Sequence, residues 1–137
     1  MPVDAPPPAL EPVSFDSDAR SVGIEGSLVR VEEIEGSAQG PGNINGPALR
    51  ITVRLVNGTA EELPLSGVAI NVFHGADRTP APPLEDPSQS PFAGSLPPGD
   101  AAEGGYVFRV PADDRQEIRV EVAVRPGAPV LVFTGGV

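Results

Sequence analysis

The feature that most constrains this chain is a period of two that recurs with no helical counterpart. In ALRITVRLVNG, Leu49, Ile51, Val53 and Leu55 alternate with Arg50, Thr52 and Arg54, and Asn57-Gly58 ends the run. Successive side chains of a strand point to opposite faces, so this segment reads as a strand with one buried and one wet face. SGVAINVF repeats the pattern with Val68, Ile70 and Val72 inward, and His74 follows on the same parity where the strand runs out. GGYVFRVP turns Tyr106, Phe108 and Val110 inward. QEIRVEVAVRP buries Ile118, Val120, Val122 and Val124 and turns out Glu117, Arg119, Glu121 and Arg125. PVLVFTG supplies a last apolar strand. No segment carries the period of a helical crossover, which a parallel sheet requires.

One strand breaks its own parity. In SVGIEGSLVRVEEIEG, Val22, Ile24 and Leu28 share one parity and Val29 and Val31 the other. This predicts a bulge or strand switch near Gly26, because one extra residue flips every later side chain. SAQGPGNINGP, with Gly40, Pro41, Gly42 and Asn45-Gly46, reads as a long turn. Residues 75–100 hold so many prolines that only one or two short edge strands, around Leu84 and Phe92, are expected there.

Composition decides between disorder and a fold. Pro and Gly number 34 of 137 residues, yet Leu, Ile, Val and Phe make up 27% of the chain, above the roughly 20% below which disorder is the default. The sequence therefore predicts an all-β fold, an immunoglobulin-like antiparallel β-sandwich of about seven or eight strands, over residues 21–137. Five prolines in the first twelve positions mark residues 1–20 as a Pro-rich tether or disordered arm.

Nineteen acidic residues face nine basic ones, all arginine, for a net charge of −10. Nucleic acid needs a basic face, so it is excluded as a partner, and anionic membrane surfaces are disfavoured for the same reason. With no cysteine there is no disulfide, thiol nucleophile or thiolate zinc site. No apolar run approaches the roughly 20 residues that span a bilayer, and Met1 is followed by Pro2 and Asp4 rather than a basic leader. The chain is expected to be either cytoplasmic or a mature piece whose signal or anchor lies elsewhere.

Catalytic chemistry finds little to work with. His74 is the single histidine, and Ser66 or Ser90 would have to be brought to it by folding; it reads as a strand-end residue at the sheet rim. Asp16 and Asp18, Glu32, Glu33 and Glu35, Glu85 and Asp86, and Asp113 and Asp114 could in principle gather calcium at a sandwich end. No Asp-x-Asp-x-Asp-Gly run occurs, however, and these carboxylates read as solvated loops. Paired carboxylates for glycoside hydrolysis lack an aromatic sugar platform, since the chain has no Trp. No catalytic residue, metal site or cofactor is assigned. Asn57-Gly58-Thr59 fits a glycan acceptor but reads first as a turn. Gly104-Gly105 and Gly135-Gly136 precede no helix and are not phosphate loops. Arg50, Arg54, Arg109, Arg119 and Arg125 fall on outward strand positions. If the strands of Arg50, Arg54 and Arg109 are neighbours, three guanidiniums line one outer face, either as a site for an acidic partner or as a lattice of cross-strand ion pairs.

Three runs carry a family resemblance: IRVEVAV, ALRITVRLVNGTAEELPLSG and LPPGDAAEGGYVFRVPADDRQEIRVEVAV. They are similar to bacterial extracellular immunoglobulin-like domains of unknown function, a group that resembles the telokin-like sandwich of a secreted mycobacterial immunogenic protein. Its pattern is an alternating strand ending at Asn, here Ile51, Val53, Leu55 and Asn57, and later a Pro-Gly turn, here Pro98-Gly99. A strand ending apolar-Phe-x-Val-Pro follows, here Val107, Phe108, Val110 and Pro111. The likeness spans residues 21–134 and departs from the pattern at TPAPPLEDP, where the family often has a hairpin. It implies a secreted or lipid-anchored domain of a high-GC Gram-positive bacterium, an actinobacterial setting with which arginine without lysine agrees. The expected function is a non-enzymatic extracytoplasmic module binding a protein or peptide through a sheet face, an edge strand or the 75–100 region. The alternative is a structural spacer of a cell-envelope assembly with no ligand of its own.

Overall fold

The alternating runs form the strands of two facing sheets in a computed structural model of the chain. The structure describes residues 11–36, 46–84, 89–111, 113, 115–124 and 128–136. In chain order the strands are β1 (Val13–Ser14), β2 (Ala19–Ser21), β3 (Ile24–Gly36), β4 (Gly46–Asn57), β5 (Leu63–Pro64) and β6 (Ala69–His74). They continue with β7 (Thr79–Pro80), β8 (Pro83–Leu84), β9 (Ser95–Leu96), β10 (Ala101–Arg109), β11 (Ile118–Ala123) and β12 (Leu131–Gly135). One sheet has the order β1-β12-β11-β6-β7 and the other β2-β3-β4-β10-β8, with β5-β9 a small ribbon. The molecule is a β-sandwich, as its periodicity predicts. Every pairing is antiparallel except β1 on β12, which is parallel.

The core lies between the sheets and is built from the predicted parity. Leu49, Ile51, Val53 and Leu55 of β4 face Val120, Val122 and Phe133 of the other sheet, and all are fully buried. Burying each such side chain contributes about 1.5–3 kcal/mol. Val72, Phe108, Val110, Ile118 and Val124 are also buried as expected, whereas Val68, Ile70 and Tyr106 are only partly so.

Three expectations change in detail. The register shift of β3 falls between Leu28 and Arg30, so Val29 is the bulged residue. Gly26 is instead a regular inward position, where a Cβ would lie 2.5 Å from Leu131 Cδ1. Residues 13–21, placed in the tether or at its end by the sequence, pair in both sheets: β1 on β12 and β2 on β3. Phe15 between them packs on Gly135, so close that a Cβ there would lie 2.9 Å from its ring. Positions 1–10, 37–45 and 85–88, with their expected arm, turn and acidic pair, lie outside the described residues.

The proline-rich stretch forms more strand than proline's missing donor suggests. β7 and β8 flank Ala81, which points into the core and donates its N–H to Val72 O at 2.8 Å. Pro82 contributes as an acceptor, taking the Arg109 N–H at 2.9 Å. The Leu84 strand is therefore present as β8, while Phe92 lies outside any strand and packs its ring on Gly104.

Candidate functional site

Because β4 and β10 are neighbours, Arg50, Arg54 and Arg109 share the outer face of one sheet, as parity predicts. Arg50 lies opposite Glu32 of β3 and its Nη2 donates to both carboxylate oxygens at 3.0 Å. Arg30 donates to the same carboxylate at 3.2 Å, and Arg54 lies 3.8 Å from Glu103. The Arg50 hydrogen bond holds the Glu32 carboxyl below the usual carboxylate range, against a smaller opposing effect of desolvation. Arg50 and Arg54 are thus matched by carboxylates across the strands, pairs worth a few tenths of a kcal/mol each. Beside Arg50 the same face carries a small second core of Ala48, Leu84 and Val107, with Ile34 packed against it. Arg119, on the other sheet, is held by Glu121 at 2.7 Å, and Arg125 lies outside the described residues.

The remaining predicted groups are scattered. His74 ends β6, as expected, but is buried rather than at an open rim, opposite Ile118 in register. Ser66 lies at the other end of β6, in a short 3-10 turn of Leu65–Gly67, and Ser90 bridges Gly105 of the other sheet. Folding brings neither serine to the imidazole. Among the described residues no three acidic or histidine side chains gather as metal ligands. Asp16 accepts from the Ser14 hydroxyl at 2.6 Å, which lowers its pKa; Glu85, Asp86 and Asp114 lie outside the described residues.

Asn57 resolves the choice between glycan acceptor and turn. Its side chain is fully buried, with Nδ2 donating to Glu61 O at 2.8 Å and Leu96 O at 2.9 Å. Oδ1 accepts the Thr59 N–H at 2.9 Å and the Thr59 hydroxyl at 2.6 Å. Its main chain closes on Asp100 O and Gly99 N. Asn57 is a knot joining loops, and its amide nitrogen has no exposed face for a sugar.

Sequence reasoning missed three features. Arg115, in a loop without period, is buried at the opposite end of the sandwich. It donates to Val110 O at 3.3 Å and pairs with Glu33 at 3.0 Å, tying its loop to the sheet that holds β3 and β10. A cleft of about 500 Å³ opens on the outer face of the β12-β11-β6 sheet, lined by Phe73, Arg78, Glu117, Arg119 and Thr134. Its charges are mixed, since Arg78 and Glu117 both line it and Glu121 pairs with Arg119.

The third feature is an edge. β3 runs thirteen residues, but β2 meets only Ile24, Glu25 and Gly26. Residues 27–36 therefore border no strand on that side among the described residues. The bulged Val29 within it is 49% exposed. No sequence signal marks an edge, because edge status depends on sheet order.

Comparison with solved structures returns β-sandwiches of unassigned role. The yjhA protein from Bacillus subtilis is similar with a TM-score of 0.64 over 79% of each chain at 12% identity. A conserved hypothetical protein from Bacillus anthracis gives 0.58 over 80% of this chain and 88% of its own, at 13% identity. An uncharacterized beta-sandwich protein from Clostridium difficile gives 0.53 over 98% and 99%, at 12% identity. At such identities the likeness establishes the fold alone. No family model matches the chain, and no curated protein matches it significantly.

Proposed function

We propose that this chain is a non-enzymatic, extracytoplasmic interaction module that takes an extended segment of a protein or peptide partner onto the open edge of β3. The carrying observation is that residues 27–36 pair with no strand on that side among the described residues. An exposed strand edge offers a row of main-chain donors and acceptors to an added strand, while alternate side chains select which strand fits. Arg30, Glu33 and Glu35, with the bulge at Val29, interrupt this edge with charge and a local twist. Those features disfavour indiscriminate pairing with another copy and leave room for a chosen partner.

The compartment is inferred from the resemblance to bacterial extracellular immunoglobulin-like domains, a group that itself resembles the telokin-like sandwich of a secreted mycobacterial protein. That resemblance supports a secreted or surface-anchored chain. It agrees with the absence of lysine and with an acidic total that suits neither nucleic acid nor anionic lipid.

Val29→Lys tests the reading, because a lysine on an edge blocks strand addition while leaving an exposed position's stability within about 0.5 kcal/mol. Wild-type protein immobilised against a cell-surface extract is expected to retain a partner that the variant captures at least tenfold less. Equal capture by both contradicts strand addition at β3, and no capture by the wild type favours a spacer without a ligand.

A further inference from the structure

The β2–β3 hairpin turns through Val22 and Gly23, and both have positive φ, +47° and +84°. Two central residues with positive φ define the tight turn that Asn-Gly fits best, whereas a β-branched side chain in that conformation is a steric outlier. At this turn the chain places Val-Gly rather than Asn-Gly. Val22 is also one of two exposed large apolar side chains among the described residues, at 40% exposure.

The strain is held in place from two sides. Gly58 N–H donates to Gly23 O at 3.0 Å, and the Ser21 hydroxyl donates to Pro129 O at 2.6 Å. Backbone strain of this kind persists where surrounding contacts over-determine it, and it concentrates at ligand clamps. Beside the tip lies a recess of about 320 Å³, lined by Val22, Ile24, Ala60 and Leu63 on its apolar side and by Glu61 and Glu62 at its rim. Neither carboxylate has an ion-pair partner among the described residues, and no cation lines the recess.

We infer that the Val22 tip and its recess form a second docking surface, for a protein segment that places an apolar side chain against Val22 and a lysine or arginine against Glu61 and Glu62. The surface lies at the hairpin turn, where β2 covers β3, and is separate from the open edge at residues 27–36. Charge complementarity selects the partner: an apolar tip beside two carboxylates that have no ion-pair partner among the described residues disfavours acidic segments and attracts basic ones. A rigid, pre-formed tip also avoids an ordering cost on binding.

The probe is a five-residue synthetic peptide, Lys-Leu-Arg-Ile-Lys, titrated into isotopically labelled protein, with Glu-Leu-Glu-Ile-Glu as control. The basic peptide is expected to shift amide signals of Val22, Gly23, Thr59, Glu61 and Glu62, and the control to shift none. Val22→Asn should weaken binding at least tenfold while raising the melting temperature by about 4 °C, because asparagine relieves the turn. Glu61→Gln with Glu62→Gln should weaken it severalfold and flatten its dependence on salt. A fall in melting temperature in Val22→Asn overturns the inference, because Val22 then serves the fold. So does unchanged affinity in that variant, or the absence of any shift at the tip. Shifts confined to residues 27–36 also overturn it while leaving strand addition at β3 standing.

Discussion

Residues 79–84 and residues 13–21 each carry the chain from one sheet to the other, on opposite flanks of the sandwich, and leave those flanks in different states. On the first flank β7 leaves the edge of β6, Ala81 turns into the core, and β8 pairs with β10. Ser90 then meets Gly105 further along the same edge. On the second flank β1 lies on β12 and β2 reaches β3, but covers it for three residues only. The difference is one of chemistry as well as coverage. Pro82 serves its neighbour through its carbonyl, and Pro80, Pro82 and Pro83 offer no N–H to a further strand, so the first flank is interrupted by residues that extend a sheet poorly. The second flank has no such terminator along residues 27–36, which contain no proline.

Breaking the sealed flank should have the largest effect. Ala81 is buried in the core, so Ala81→Asp forces a carboxylate into apolar surroundings and is expected to cost at least about 3 kcal/mol in urea unfolding. A cost below 1 kcal/mol would mean that the proline segment merely lies on the surface. The strap on the open flank should matter less. Phe15→Ala removes a half-buried ring from Gly135 and is expected to cost about 2 kcal/mol, below the range for fully buried rings. No change in stability would return residues 13–21 to the status of a tether.

The contrast also explains what was legible in the sequence. Parity alone placed β4 and β11 correctly, because their alternation is a local property that burial on one face enforces. It also put Arg50, Arg54 and Arg109 at outward positions, and left open whether their strands are neighbours and whether the guanidiniums form ion pairs. The bulge was foreseen three residues early. Glycine is the residue one expects at an irregularity, but Gly26 is there because Leu131 leaves no room for a Cβ, and the extra residue is Val29. Val107 falls on an outward parity yet is buried, because Leu84 arrives beside it from the proline-rich stretch. The docking of Val13 on Phe133 joins the two ends of the chain and has no local pattern to announce it. The open edge and the strained Val22 are likewise products of sheet order and turn geometry.

Amide hydrogen exchange tests the difference between the flanks most directly. If residues 27–36 form an open edge, about half their amides, those pointing away from β4, should exchange orders of magnitude faster than the Gly105 and Arg109 amides of β10, which donate to Ser90 O and Pro82 O on the other flank. Uniform slow exchange along both strands would contradict the account, because β3 would then be covered along its whole length.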